Sequence, residues 1–566
     1  MKNDWWKYTN IYQVTLKSFY DSNNDGLGDI TGLTMKLDYI KDLGCDTIWI
    51  SPHYESPMDD NGYDVSDYYK VSKDFGTLDD FSNLIKKAHE KNIKIICDLV
   101  LNHTSDEHSW FKIASNPNHP EYKKYHNYYI WQKPKYNDKL ERIPPTRWLS
   151  WFGGPAWDYI REVDEYYLHI FSKKMPDLNW RNKDVRQEMK KIIKFWIENG
   201  VDGFRVDAAN HLEKDWNFID DYPGYNHFSG LEKHHEYIKE LAEELFIPND
   251  LLIIGESGSA TKSQALKYVG FNSHEFNLLI QFGHVWADAC DSNGIFLGKW
   301  GKCKLRVDEI KKSFNYWYEI LRGKGWNLIY WHNHDHPRIV SHYGNDSKYR
   351  VKSAKMLAIT LYFMPGTSLT YQGEEIGMTN VLYKDLESFR DVEVFTEYKN
   401  FIDRGAKKEE ALKTLRDRSR DNARSPMQWN SSKYAGFSTV KPWMDVNYNY
   451  HFINVSNDLN NKNSILNTYK FILKQRKKDK GNIIFGEIKF IDIENKEHFS
   501  YINRGKNKEY LVICNFTDYD VLVLLNDVNL AGYRYFYSNM YEAPLKKEYL
   551  LKPYAAYVYV KDIKIQ

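Results

Sequence analysis

The chain is poor in cysteine. Five residues in 566, Cys45, Cys97, Cys290, Cys303 and Cys514, are widely spaced and form no CxxC pair. That excludes a disulfide framework and a cysteine-ligated metal centre. Cys45 and Cys97 each adjoin an apolar run, which predicts buried free thiols. No stretch approaches the roughly 18 consecutive apolar residues of a membrane span. The opening Met1-Lys2-Asn3-Asp4-Trp5-Trp6 has no apolar core of a secretory leader. An excess of either charge is also missing. Lys plus Arg number 78 and Asp plus Glu 77, for a net charge of +1, which argues against a nucleic-acid scaffold. No GxGxxG follows the first apolar run, against a dinucleotide-binding open sheet. Internal repeats and low-complexity tracts are absent too. These absences together predict a cytoplasmic, soluble, monomeric protein with no nucleic-acid or membrane partner.

The chain is rich in aromatics, 16% of residues, and its 42% hydrophobic content suffices for a large core. Short apolar runs recur at 11–19, 47–51, 93–100, 203–207, 251–256, 327–335 and 368–374, with amphipathic segments such as 81–91 and 185–199 between them. Such alternation predicts parallel strands with crossover helices. With an eighth strand near 278–284, it predicts an α/β fold: a (β/α)8 TIM barrel. Residues 104–174, long, weakly periodic and rich in Trp, Tyr, Asn and Pro, read as a subdomain inserted after strand 3. Residues 481–566 carry short β-rich runs and read as a C-terminal antiparallel β-domain, leaving 1–103 and 175–480 to the barrel. Tyr533, Phe536 and Tyr537 in that last domain form no stripe, so packing is the expected role.

Acidic residues end several strands. Asp98 is followed by Asn102 and His103, Asp207 ends Gly-Phe-Arg-Val-Asp, Glu256 follows Gly255, and Asp335 ends His-Asn-His-Asp. In a β/α barrel the C-terminal strand ends form the reactive face, so Asp207, Glu256 and Asp335 from three strands would converge in one cleft. Arg205, two residues before Asp207, would project from the same strand face and keep Asp207 ionised.

These four motifs, in this order and over nearly the whole chain, resemble glycoside hydrolase family 13, the α-amylase family. Gln13, Asn61-Gly-Tyr-Asp64, Tyr371-Gln-Gly-Glu-Glu-Ile-Gly377 and Arg420-Asp-Asn-Ala-Arg424 are similar to its oligo-1,6-glucosidase and α-glucosidase branch. The resemblance implies retaining chemistry on a small oligosaccharide: Asp207 as nucleophile, Glu256 as acid and base, and Asp335 as the third acid. It assigns His103 and His334 to glucose hydroxyls, Tyr63 and Asp64 to the non-reducing glucose, and Phe152, Phe171 and Ala208 to the substrate pocket. Arg420 looks like the salt-bridge partner of Asp64, closing the far end and making the enzyme exo-acting. The first loop, Asp21 to Asp29, resembles one that binds a structural Ca2+ in this branch; Asp21, Asn23, Asp25, the Leu27 carbonyl and Asp29 are the implied ligands, and no organic cofactor is implied.

Some positions depart from the family pattern. Ala208 stands where members preferring α-1,6 links tend to carry Val, which tilts the expectation to α-1,4 or mixed linkage, sucrose included. Met175 and His336 stand where Gln is common, and the segment 210–233 should line the side next to the bound glucose. An oligo-1,6-glucosidase is the nearest rival, followed by a trehalose-6-phosphate hydrolase or a sucrose isomerase. A non-catalytic transporter subunit of the same fold is the reading from another class, disfavoured by the complete set of acids.

Overall fold

A computed structural model describes residues 4–273 and 275–563. Met1, Lys2 and Asn3, read above for the missing leader, lie outside the described residues. Eight parallel strands carry the catalytic part: β1 (Asn10–Val14), β2 (Thr47–Ile50), β3 (Lys94–Val100), β4 (Gly203–Asp207), β5 (Leu252–Glu256), β6 (Leu278–Ile280), β7 (Leu328–Ile329) and β8 (Thr367–Tyr371). Their order is β6-β5-β4-β3-β2-β1-β8-β7, a ring in which β6 and β7 touch. The chain therefore folds as a TIM barrel with a C-terminal β-domain.

Side-chain alternation sorts each strand into two faces. Ile11, Trp49, Ile96, Leu252, Ile254, Leu278, Ile280, Leu328 and Leu369 pack together inside the barrel. Two residues beyond Ile96 and Ile254 on the same faces stand Asp98 and Glu256. The outward residues, such as Val206 and Leu99, meet the helices. Helix α1 (Leu78–Glu90) is capped by a Thr77/Asp80 box and buries Phe81, Leu84, Ile85 and Ala88. Helix α2 (Lys183–Glu198), capped by Asn182, buries Val185, Met189, Ile192, Ile193 and Trp196 at helical spacing. Gly203 is required where β4 meets β5, because a Cβ there would lie 2.0 Å from the Leu252 carbonyl oxygen.

Residues 104–174 contain two short helices and a three-stranded sheet formed by Trp131–Gln132, Glu165–Leu168 and Trp157–Ile160. Near the C-terminus a five-stranded antiparallel sheet runs through Glu487–Ile491, His498–Arg504, Lys508–Asn515, Ala556–Asp562 and Arg534–Ser538. Its aromatics face inward and toward the barrel. Phe536 packs against Phe363 at 6.0 Å, and Tyr537 stacks on Phe471 at 4.5 Å.

Two expectations change. The apolar run 327–335 is a strand only at Leu328–Ile329; the remainder is the loop that delivers His332 to Asp335. Cys45, Cys97 and Cys514 are buried free thiols, but Cys290 and Cys303 are joined in a disulfide. Spacing alone does not reveal that pair, because a hairpin brings the two together. Among the described residues no helix is long and apolar enough to cross a membrane.

Candidate active site

The ends of β3, β4 and β5 deliver Asp98, Asp207 and Glu256 to one guanidinium. Arg205 Nη1 lies 2.8 Å from Asp98 Oδ1 and 2.7 Å from Asp207 Oδ1, and its Nη2 lies 2.5 Å from Glu256 Oε1. The pairing register places Arg205 beside Asp98, which is why a charge this deep finds a partner. Asp98 Oδ2 also accepts from Trp49 Nε1 and from the Tyr63 hydroxyl, both at 3.0 Å. The Ala208 backbone N–H donates to Glu256 Oε2 at 3.2 Å.

The electrostatics differ from the simple expectation for Asp207. Burial is the largest influence on Asp98, Asp207 and Glu256, and it raises all three above the ordinary carboxylate range; Arg205 pulls each back. Three carboxyls share one cation, so Arg205 alone does not keep Asp207 at an ordinary value. Burial and mutual repulsion therefore favour the protonated form across the set, the direction an acid–base pair needs. Asp335 behaves oppositely. Burial works against its ionisation, but His334, Arg420, Arg424 and Arg205 overcome it and hold the carboxyl well below the usual range. Burial also pushes His334 down to about 3, so at neutral pH its ring is uncharged and the arginines carry that effect. Arg424 Nη2 is 3.1 Å and Arg420 Nη1 3.4 Å from Asp335 Oδ1.

Both histidines have their tautomer set by a neighbour. Gln13 Nε2 donates to His334 Nδ1 at 2.8 Å, leaving His334 Nε2–H to face the Tyr63 hydroxyl at 2.6 Å and Asp335 Oδ2 at 3.2 Å. Asn102 Nδ2 donates to His103 Nδ1 at 3.3 Å, and Asn102 is itself held by the buried Lys214–Asp177 pair. Among the described residues the buried His103 Nε2 has no hydrogen-bond partner, and His103 lines the central cavity. A donor there is available to a sugar hydroxyl. Burial pushes His103 down to about 4, which keeps it neutral.

Asp207, Glu256 and Asp335 open into a cavity of about 720 Å³, also lined by Tyr63, His103, Phe152, Phe171, Ala208 and Arg420. Phe171 meets His103 edge-on at 5.4 Å, and Arg420 lies over the Phe152 ring at 4.8 Å. Ala208 has left-handed backbone, φ 46° and ψ 38°. Met175 and His336 line the same cavity, as do Asn210, His211, Tyr225 and Ser229 from the segment after β4.

One assignment is corrected. Asp64 does not pair with Arg420. Its carboxylate accepts from Ser56 Oγ at 3.0 Å and from the backbone N–H groups of Asp59 and Asp60 at 2.9 and 3.1 Å, so it ties its own loop together. Asp60 faces Arg420 instead, at 3.3 Å, and lines the cavity. Arg420 is held from behind by Asp391, at 2.7 and 2.6 Å. Three aspartates crowd the segment 59–64, and only the turn geometry shows which one faces inward. The sequence reading also missed Trp151, Phe282, Trp286, the loop Leu297–Trp300, Glu393 and Glu397 as cavity residues. No motif marks them; the one usable signal was the Glu393/Glu397 spacing of one helical turn.

In the first loop, Asp21 Oδ1 accepts from the N–H groups of Asn23 and Asn24, and its Oδ2 from the Gly26 N–H and the Ser438 hydroxyl. Asp25 accepts from the Leu27 N–H, and Asp29 from Ser22 and Gly32. The ligand atoms these residues could offer are all oxygen, the chemistry of a hard cation, and in this arrangement they accept hydrogen bonds from their own loop. Among the described residues no group of three or more His, Cys, Asp or Glu gathers as a metal cluster.

Known proteins give the same picture. The model of the α-amylase catalytic domain matches residues 13–484. An oligo-1,6-glucosidase of Bacillus cereus is 41% identical over 573 residues, covering 99% of this chain and 100% of the relative. The solved structure of trehalose-6-phosphate hydrolase from Bacillus licheniformis is 40% identical with a TM-score of 0.90, covering 99% of this chain and 100% of that one. Isomaltulose synthase from Erwinia rhapontici is 33% identical with a TM-score of 0.91, covering 99% of each. A barrel whose strand ends bring these acids together, and relatives aligned over its full length, place the chain in glycoside hydrolase family 13, in the oligo-1,6-glucosidase branch, as an α-glucosidase.

Proposed function

We propose that the enzyme removes single glucose units from the non-reducing end of short α-1,6-glucosides by a retaining double displacement. The observation that carries the chemistry is the one guanidinium, Arg205, bridging Asp207 and Glu256 at the barrel mouth. Carboxyls gathered this tightly suit the roughly 5–5.5 Å spacing of retaining enzymes better than the roughly 6.5–9.5 Å of inverting ones. Glu256 gives its proton to the glycosidic oxygen as Asp207 attacks C1, forming a glucosyl ester and releasing the aglycone. Glu256 then takes a proton from water, whose oxygen attacks C1 and frees Asp207, so α-glucose leaves. Asp335, fully ionised, binds sugar hydroxyls and favours the positive charge that develops on the ring. His103 donates to a hydroxyl of the same glucose, while His334, whose Nε2–H faces Tyr63 and Asp335, positions those two groups.

The Asp60–Arg420 pair supports exo action, because it walls the cavity beyond that glucose. The linkage reading has moved from the one expected above. Relatives named oligo-1,6-glucosidase align over the whole chain and favour α-1,6 links. Ala208 favours a second reading, with α-1,4 links or sucrose also accepted, since a smaller side chain leaves room beside the nucleophile. One of the cavity's other cations supports a neutral aglycone, since Lys299 is paired with Glu393 at 2.6 Å; Arg404, which donates to the Ile295 carbonyl, keeps its charge. The Asp21–Asp29 turn is read as a structural calcium site, with no reaction step passing through it.

Product analysis tests the reading. Purified protein is given isomaltose, maltose, maltotriose, sucrose and trehalose 6-phosphate at equal concentration, and the anomer of released glucose is followed. Fastest release of α-glucose from isomaltose is expected. Release of β-glucose would refute the retaining assignment. Faster cleavage of maltose or trehalose 6-phosphate would overturn the linkage or the aglycone.

A further inference from the structure

We infer that Cys290 and Cys303 form a reducible staple, a thiol–disulfide exchange site that sets how firmly one wall of the catalytic cavity is held. The inference rests on the glucosidase reading only for its activity readout. The disulfide closes the neck of a hairpin: Ala289 pairs with Lys302 across it, and a tight turn at 292–296 forms its tip. Leu297, Gly298, Lys299 and Trp300, on the returning arm, line the cavity that holds Asp207 and Glu256. At the neck the backbone contributes the Cys303 N–H to the Asp288 carbonyl, at 2.8 Å, and a longer bond from the Cys290 N–H to the Gly301 carbonyl, at 3.4 Å. Further out, the arm rests on the helix Val392–Asp403 through the Lys299–Glu393 pair and through Phe296 and Trp300 against Phe401. From behind, the buried Arg418 donates to the Gly301 carbonyl at 3.0 Å and to the Asp288 carbonyl at 3.4 Å, so the covalent tie joins the two arms directly, between this anchored base and a tip that shapes the cavity.

Access and charge suit exchange at this pair. Cys303 is exposed and Cys290 half-buried, whereas Cys45, Cys97 and Cys514 are buried thiols. Cys303 is flanked by two exposed lysines: Lys302 is paired with Asp417 at 3.2 Å, and the positive charge of Lys304 favours an approaching thiolate. A dithiol is the reductant the site would take. One thiolate attacks Cys303 Sγ, forming a mixed disulfide as the Cys290 thiolate leaves and takes a proton. The second thiol of the reductant then attacks the mixed disulfide and frees Cys303. The protein gains two electrons and two protons, and the dithiol becomes a disulfide.

The test compares full-length protein, air-oxidised or treated with dithiothreitol, by three readouts. Alkylation in denaturant is expected to count three free thiols in the oxidised protein and all five after reduction. Tryptic cleavage at Lys299, Lys302 or Lys304 is expected to appear on reduction, with the circular dichroism unchanged. For isomaltose, kcat/KM is expected to fall about three- to tenfold on reduction, the size of a loosened positioning wall, and to recover on reoxidation. Cys303→Ser is expected to match the reduced enzyme and ignore dithiothreitol. Five free thiols before reduction, an unchanged cleavage pattern, or melting of the whole fold on reduction would each overturn the inference. If no glucoside were cleaved at all, the functional reading would fall, while thiol count and proteolysis would still decide the staple.

Discussion

Exchanging the two neighbouring aspartates one at a time separates their roles. Asp60 faces the cavity and Arg420; Asp64 faces three donors of its own loop. Asp60→Asn removes a charged acceptor from the cavity wall beside Arg420, where the proposed function puts the far side of the non-reducing glucose. It does not strand Arg420, which keeps both bonds to Asp391. A hydrogen bond to a charged group contributes about 1.5–3 kcal/mol, or roughly 10- to 150-fold in kcat/KM for each sugar hydroxyl held. Burial, opposed by Arg420 and Arg424, pushes Asp60 up to about 6, so the loss is expected to be larger at pH 7.5 than at pH 5, where the wild-type carboxyl is already largely protonated. Asp64→Asn instead turns an amide toward backbone N–H donors and costs about 1–3 kcal/mol of stability, with little change in kcat/KM for the folded enzyme. Steady-state kinetics on isomaltose and thermal melts of both variants measure the two effects. Loss of activity in Asp64→Asn at unchanged Tm, with Asp60→Asn near wild type, would refute the assignment of the wall to Asp60.

Three further outcomes are expected. Asp207→Asn abolishes turnover while raising Tm, because it removes one of three carboxyls sharing Arg205. The native pKa of Asp207 lies above its unfolded value, so the stability penalty is absent below the unfolded value and complete once pH exceeds the native one. The Tm gain should therefore be larger at pH 8 than at pH 5, and differential scanning calorimetry at both values checks it. Ala208→Val should shift the ratio of isomaltose to maltose cleavage by about 1–3 kcal/mol, some 5- to 150-fold, and lower Tm, since a β-branched residue is strained at φ 46°. Parallel kcat/KM measurements on the two disaccharides decide it. Chelation with EDTA should lower Tm, with recovery on adding calcium and kcat unchanged at assay temperature; a Tm indifferent to both would remove calcium from the first loop.

The architecture was legible because it is written in local chemistry. Period-two and period-3.6 patterning identifies strands and helices in a single sequence, and an acid at a strand's end needs no distant partner to be noticed. Asp98, Asp207, Glu256 and Asp335 stood out that way, and the resemblance to family 13 assigned the last three their roles. The runs 11–19, 278–284 and 327–335 each outlast their strands, which end at Val14, Ile280 and Ile329; the second half of 327–335 is apolar enough for a strand but is buried by the barrel mouth and not by a ladder.

What escaped the sequence depends on groups far apart in the chain meeting at known distances. Asp60 was missed beside Asp64 because composition cannot say which of several neighbouring carboxylates a turn points inward. Asp391, 29 residues before Arg420, is its bidentate partner, and Arg424 holds Asp335 across 89. That Arg205 would keep Asp207 ionised was read without its other two partners, for the same reason. The register of β3, β4 and β5 gives one guanidinium three carboxyls, and desolvation then outweighs their attraction to it. Cys290 and Cys303 likewise became a pair only when a hairpin closed. Residue type and local pattern set the strands, the helices and the reacting acids; partner choice, protonation and the cavity's outer wall follow from distance and burial, which come into being only when the chain is packed.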